Sequence, residues 1–189
     1  MKINNLYLVV LMVLACPWRA VGQNTLFPEQ ERKVTSVYSD KTDTTIVRFG
    51  PMHLWNSING TGLYSISDTE LGVFGFFTYK GKTFVKPESV RLIFVSVNVP
   101  TNRWELTKQK DLEITAEDGN WSIPNIEVID SQRGVALVID WLGVSIPCEE
   151  FAKIAGAKKL KLRFGDRGRF SLTKQHAATL HELAGRTGC

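Results

Sequence analysis

The stretch Pro147–Gly165, PCEEFAKIAGAKKLKLRFG, changes its hydrophobic period part-way along, and that change decides the fold class. CEEFAKIAG, residues 148–156, has a helical pattern, with Phe151, Ile154 and Ala155 on one apolar face. Glu149 and Glu150 fall in its first turn, Lys153 in its last and Gly156 at its end, the order that the helix dipole and C-terminal capping favour. KKLKLRFG, residues 158–165, instead alternates strictly. Leu160, Leu162 and Phe164 share one face and Lys159, Lys161 and Arg163 the other, as in a strand with one buried side.

Upstream, residues 33–146 read as strands rich in β-branched and aromatic residues, punctuated by turn residues. KVTSVYS ends at the turn DKTD, and TTIVRF ends at Gly50–Pro51. GLYSIS follows Asn59–Gly60, and LGVFGFFTY runs to Lys80–Gly81, where glycine suits a positive-φ hairpin turn. SVRLIFVSVNV is the most apolar run and stops at Pro100. DLEITAE, WSIPNIEVI and GVALVIDWLGVSI complete the set, with Pro124 marking an edge strand or a bulge. Short strands joined by short turns predict antiparallel pairing, because a parallel crossover needs a dozen or more residues. Downstream, RFSL is a hairpin partner for KLRF across Asp166–Gly168. Thr173 is an N-cap for a last helix, KQHAATLHELAGR, with Ala177, Leu180, Leu183 and Ala184 on one side and Gly185 and Gly188 at its end. The expected class is α+β, mostly β: an antiparallel sheet or sandwich with one or two C-terminal helices.

The front of the chain predicts export. The apolar run Leu6–Ala15 is too short for a bilayer, which takes about 20 residues, but suits the core of a signal peptide behind Lys2. Two processing routes stay open. AVG at Ala20–Gly22 is a small-x-small site that would start the mature chain at Gln23. VLAC at Val13–Cys16 instead resembles a lipobox, in which Cys16 would be lipidated; the bulky Leu14 and the following Pro17 count against it. The expected organisation is a signal peptide over 1–22, a mobile polar lead-in over 23–32 and one strand-rich domain over 33–189. Location follows as periplasmic or extracellular, or else lipid-anchored in the cell envelope. No second long apolar run is present, so no transmembrane segment is expected after signal removal.

Without residues 1–22 the chain carries 21 cations against 19 anions. Residues 148–189 hold nine Lys or Arg and four acids, whereas 23–147 hold twelve and fifteen, so a mildly acidic body bears a basic C-terminal segment. Cys148 and Cys189 remain on either processing route. In an exported chain they are expected to pair, closing a loop worth about 4 kcal/mol and pinning the C-terminal end.

Catalytic signals are thin. His53 is expected to be a turn or packing residue, and no Gly-x-Ser-x-Gly elbow accompanies it. His176 and His181 stand about 140° apart on a helix, so they do not form a zinc pair and are expected at the surface. Glu117/Asp118 and Glu149/Glu150 read as a turn and a helix start. No CxxC and no phosphate loop is present, so neither metal nor cofactor is expected. Trp55, Trp104, Trp121 and Trp141 are read as core. The sequons at Asn59 and Asn120 would matter only in a eukaryotic secretory pathway.

One candidate site remains, an outward basic row: Lys159, Lys161 and Arg163, extended past the turn by Arg167 and Arg169. Such a row could meet an anionic polymer or a membrane surface, without specific nucleic-acid recognition; its bland counterpart is a solvated strand face that discourages edge pairing. The functional expectation is an exported non-enzymatic binding or envelope-associated domain. The alternative is an exported hydrolase whose carboxylates are brought together by the fold.

Overall fold

A computed structural model describes residues 33–54, 69–98, 106–109, 111–124, 126–135, 137–165 and 168–189, and among these described residues ten strands form two antiparallel sheets. β1 is Thr35–Ser39, β2 Thr44–Leu54, β3 Thr69–Lys80, β4 Ser89–Asn98, β5 Asp111–Thr115 and β6 Asn120–Pro124. β7 is Glu127–Arg133, β8 Val138–Pro147, β9 Lys161–Phe164 and β10 Gly168–Ser171. Helix α1 spans Cys148–Gly156 and α2 spans Lys174–Gly185. The six-stranded sheet has the order β1-β2-β3-β4-β8-β7 and the four-stranded sheet the order β10-β9-β5-β6. The fold is α+β and mostly β, as the change of period at Pro147 indicates.

One core fills the space between the two sheets and the helix pair. From the large sheet come Leu54, Val73, Leu92, Phe94 and Leu142; from the small sheet Leu112, Ile114, Leu162, Phe164 and Phe170; from the helices Phe151, Ile154, Leu180 and Leu183. Phe94 of β4 meets Phe164 of β9 edge to face, with ring centroids 4.9 Å apart, so the sheets touch directly at that point. α1 packs on α2 and on β4 and β8, while α2 leans on β2 and β3. The outer face of the large sheet carries a second, smaller cluster: Ile93, Val95 and Val97, overlaid by partly buried Phe74, Phe76 and Trp141.

Helix ends follow their local chemistry. Thr173 caps α2, its hydroxyl accepting from the His176 N–H at 3.2 Å, while His176 Nδ1 accepts from the Thr173 N–H at 3.4 Å. His176 is therefore buried, 3% exposed, and not the surface residue its sequence position implies; its ring closes the cap. His181 is exposed, as expected. Cys148, first residue of α1, is disulfide-bonded to Cys189, with Cα atoms 5.9 Å apart.

Three expectations of the sequence are corrected. Gly50–Pro51 is no turn: β2 runs on to Leu54, and the register shifts between Phe49 and Met52. A proline has no N–H for the ladder, and a bulge removes the need for one. WSIPNIEVI is not one strand. It breaks after Pro124 into β6, an edge of the small sheet, and β7, an edge of the large one. Gly81 does take the left-handed conformation, φ +77°, and donates to the Asp43 carbonyl at 2.9 Å. It opens a longer connection from Gly81 to Glu88 rather than a tight hairpin. The GLYSIS run, Pro100, Asp166, Cys16 and the segments 1–22 and 23–32 lie outside the described residues.

Candidate functional site

The basic row sits on the outer face of the four-stranded sheet. Leu160, Leu162 and Phe164 are all buried, at 1%, 6% and 0% exposed, which fixes the opposite face of β9 as solvent-facing. Lys161 and Arg163 project from that face within β9, whereas Lys159 precedes the strand in a left-handed turn conformation, φ 55°. Across the sheet, Glu113 of β5, Arg163 of β9 and Arg169 of β10 stand in one cross-strand row, and Thr115, Lys161 and Ser171 in the next. Arg167 lies outside the described residues.

The electrostatics differ from an unbroken cationic stripe. Arg163 Nε donates to Glu113 Oε2 at 2.9 Å, Nη2 reaches the same oxygen, and Nη1 donates to the Gly165 carbonyl at 3.4 Å. Lys159 is ion-paired with Glu117. Both acids come from the β5 side. They escaped the sequence reading because the β5–β9 pairing brings together residues 50 positions apart, although the alternation in DLEITAE already places Glu113 outward. Arg163 and Glu113 are each about one-third exposed, so the pair is worth no more than about 1 kcal/mol. Its effect is positional, since it fixes the guanidinium between Glu113 and the Gly165 carbonyl. Lys161 has no carboxylate partner among the described residues. Arg169 is exposed and stands directly opposite Arg163, a like-charge placement that antiparallel pairs otherwise disfavour. The face is thus graded, with acids on the β5 side and cations along β9 and β10.

The remaining candidates are dispersed. His53 lies in β2 opposite Gly72, 8% exposed, as a packing residue and not a turn. Glu117 and Asp118 occupy the β5–β6 turn, and Glu149 is ion-paired with Lys86, which holds its carboxyl below the usual carboxylate range. Among the described residues no group of three or more His, Cys, Asp or Glu is arranged to hold a metal ion. Trp121 packs against the main core and Trp141 stacks on Phe74 at 6.5 Å, while Trp55 and Trp104 lie outside the described residues.

Asp140 is the polar residue that sequence reasoning passed over. It is fully buried on the inner face of β8, accepting from the Ser131 hydroxyl at 2.7 Å. That bond ties edge strand β7 to the sheet next to its bulge at Ile129. An internal cavity of about 20 Å³ is lined only by apolar side chains, among them Met52, Phe94, Phe151 and Leu180, and is a packing gap without chemistry. No helix among the described residues is long and apolar enough to cross a membrane. Comparison of the chain with protein-family models, curated proteins and solved structures finds no match.

Proposed function

We propose that this chain is an exported, non-enzymatic binding domain that engages an anionic polymer along β9 and β10. The observation that carries the reading is the cross-strand Arg163–Arg169 pair on the outer face of β9 and β10 with Lys161 in the next row, while Glu113 of β5 and Glu117 of the β5–β6 turn lie to one side of it. A chain of closely spaced anionic groups matches several cations in adjacent register, and arginine presents several donors to each sulfate or carboxylate. Export follows from the apolar run Leu6–Ala15, and the paired cysteines suit an oxidising compartment.

The test is retention on a sulfated polysaccharide as salt rises. Wild-type protein should bind at low ionic strength and release steeply by physiological salt, because the attraction is screened over about 8–10 Å. The double variant Lys161→Glu/Arg169→Glu should lose retention with unchanged circular dichroism, since both side chains are exposed. Wild-type protein that passes through the polymer unretarded at low salt defeats the reading. Binding confined to anionic vesicles would assign the face to a membrane surface instead.

A further inference from the structure

The Cys148–Cys189 bond is built asymmetrically. Cys148 is 4% exposed, held at the start of α1 with its N–H donating to the Glu88 carbonyl at 3.0 Å. Cys189 is partly exposed and follows Gly188, which adopts φ +68°. This end of the chain has a second hold on the fold besides the bond. Thr187, immediately before, is fully buried; its hydroxyl donates to the Ala184 carbonyl at 2.6 Å and its N–H to the same carbonyl at 2.9 Å. Beyond Thr187, besides the disulfide itself, the contacts among the described residues include a Cys189 N–H bond back to the Thr187 hydroxyl at 3.2 Å, Cys189 Sγ at 3.9 Å from the Thr187 carbonyl oxygen, and the Phe84 ring against Gly188. Gly188 takes the left-handed conformation free of the Cβ penalty that another residue would carry there.

We propose that Cys189 is a site of thiol attachment, reached by exchange of this disulfide with fixed polarity. A thiolate must approach the attacked sulfur from the side opposite its partner. Cys148 is covered at 4% exposure whereas Cys189 is only partly covered, which favours approach at Cys189. The incoming sulfur forms a bond to Cys189 Sγ, the Sγ–Sγ bond breaks, and its electron pair goes to Cys148 Sγ. That sulfur leaves as a thiolate and takes up a proton from solvent. No other oxidant or reductant is required: the product is a mixed disulfide on Cys189 and a free thiol at Cys148. The leaving sulfur sits in the first turn of α1, where peptide N–H groups lack helical partners and no side chain caps them. The ion pair of Lys86 with Glu149 offsets one of the two carboxylates there. The ligand class is a thiol, either a small monothiol or a cysteine of another protein.

The experiment uses the full native chain. It is incubated with excess glutathione at neutral pH, quenched in acid, alkylated and mapped by mass spectrometry. The glutathione adduct should fall on Cys189 and the alkyl group on Cys148, in at least a tenfold excess over the reverse arrangement. Amide exchange at Thr187 should stay slow in the adduct. Two results overturn the proposal: an even distribution of the adduct between the two cysteines, and exchange that begins only at denaturant concentrations that unfold the chain. The variant Cys189→Ser provides a second reading that needs no exchange. Its Cys148 thiol should react with a bulky aromatic disulfide reagent at least tenfold more slowly than the Cys189 thiol of Cys148→Ser. Equal rates would refute the asymmetry on which the proposal stands.

Discussion

Replacing Gly75 by alanine puts a methyl group where the core has no room. Gly75 lies on the inner face of β3, directly opposite Phe49 of β2, and the Phe49 ring lies across it. A Cβ there would stand 2.3 Å from Phe49 Cε1, 2.5 Å from Cζ and 3.1 Å from Leu92 Cδ2. Ordinary carbon contacts lie at about 3.5–4.0 Å, so the ring would have to retreat by roughly 1 Å or more. Phe49 is 1% exposed and enclosed by the main core, which leaves it nowhere to go. Overpacking of this kind costs about 1–3 kcal/mol, and the stiffer unfolded chain returns about 0.4–1 kcal/mol. The expected net loss is roughly 1–2 kcal/mol, read as a lower urea midpoint at constant slope. In a Phe49→Leu background the same substitution should cost almost nothing, a coupling of about 1 kcal/mol or more. If Gly75→Ala is neutral, or if the two substitutions add, the close packing of β2 on β3 described above is wrong.

Thr173→Ala removes the cap of α2 and should lower stability by about 0.5–2 kcal/mol, measured by urea unfolding; an unchanged midpoint would mean that the helix start is held by packing alone. Tyr38 donates to Asp43 Oδ1 at 2.9 Å, which holds its phenol pKa above the usual value of 10.0, so this contact stabilises the fold below pH 10 and is lost as pH rises through the raised value. Ultraviolet titration should show one tyrosine ionising late in the wild type and moving earlier in Asp43→Asn; no movement would deny the bond. Cys189→Ser opens a loop with a sequence separation of 41 and should cost about 2–5 kcal/mol in urea unfolding, with the native circular dichroism spectrum retained. A stability equal to wild type would mean that the bond does not form in the folded protein.

The parts legible in the sequence were those governed by local spacing. Alternation in KKLKLRFG placed Leu160, Leu162 and Phe164 inside, and the dipole order of CEEFAKIAG located α1 residue for residue. Two cysteines remaining after Cys16 left one pairing to consider, and it is the one formed. The misreadings arose where a local signal had two outcomes. A proline can end a strand or sit in a bulge, and Pro51 and Pro124 took one course each. A helical histidine usually faces solvent, but His176 stands three residues after a threonine cap and turns back to it. The site was legible on one side only. Lys161 and Arg163 share β9, but Glu113 arrives from β5 and Glu117 from the β5–β6 turn, and no spacing rule spans the distance that separates them in the chain.

The break after Pro124 has a consequence for how the molecule comes together. The chain lays down four strands of the large sheet, leaves to make β5 and β6, returns for β7 and β8, and leaves again for β9 and β10. Neither sheet can be completed from one continuous stretch, and the small sheet joins two hairpins through the β5–β9 pairing. Loop closure at that separation must come before its contacts are formed, which makes assembly slow. A nascent chain ending near Gly156 would hold β5 with an open edge and with Leu112 and Ile114 short of their covering partners Leu162 and Phe164. Such a chain is a template for intermolecular strand pairing. The last hairpin is thus a keystone, and shortened chains should be recovered as aggregates rather than as a smaller folded unit.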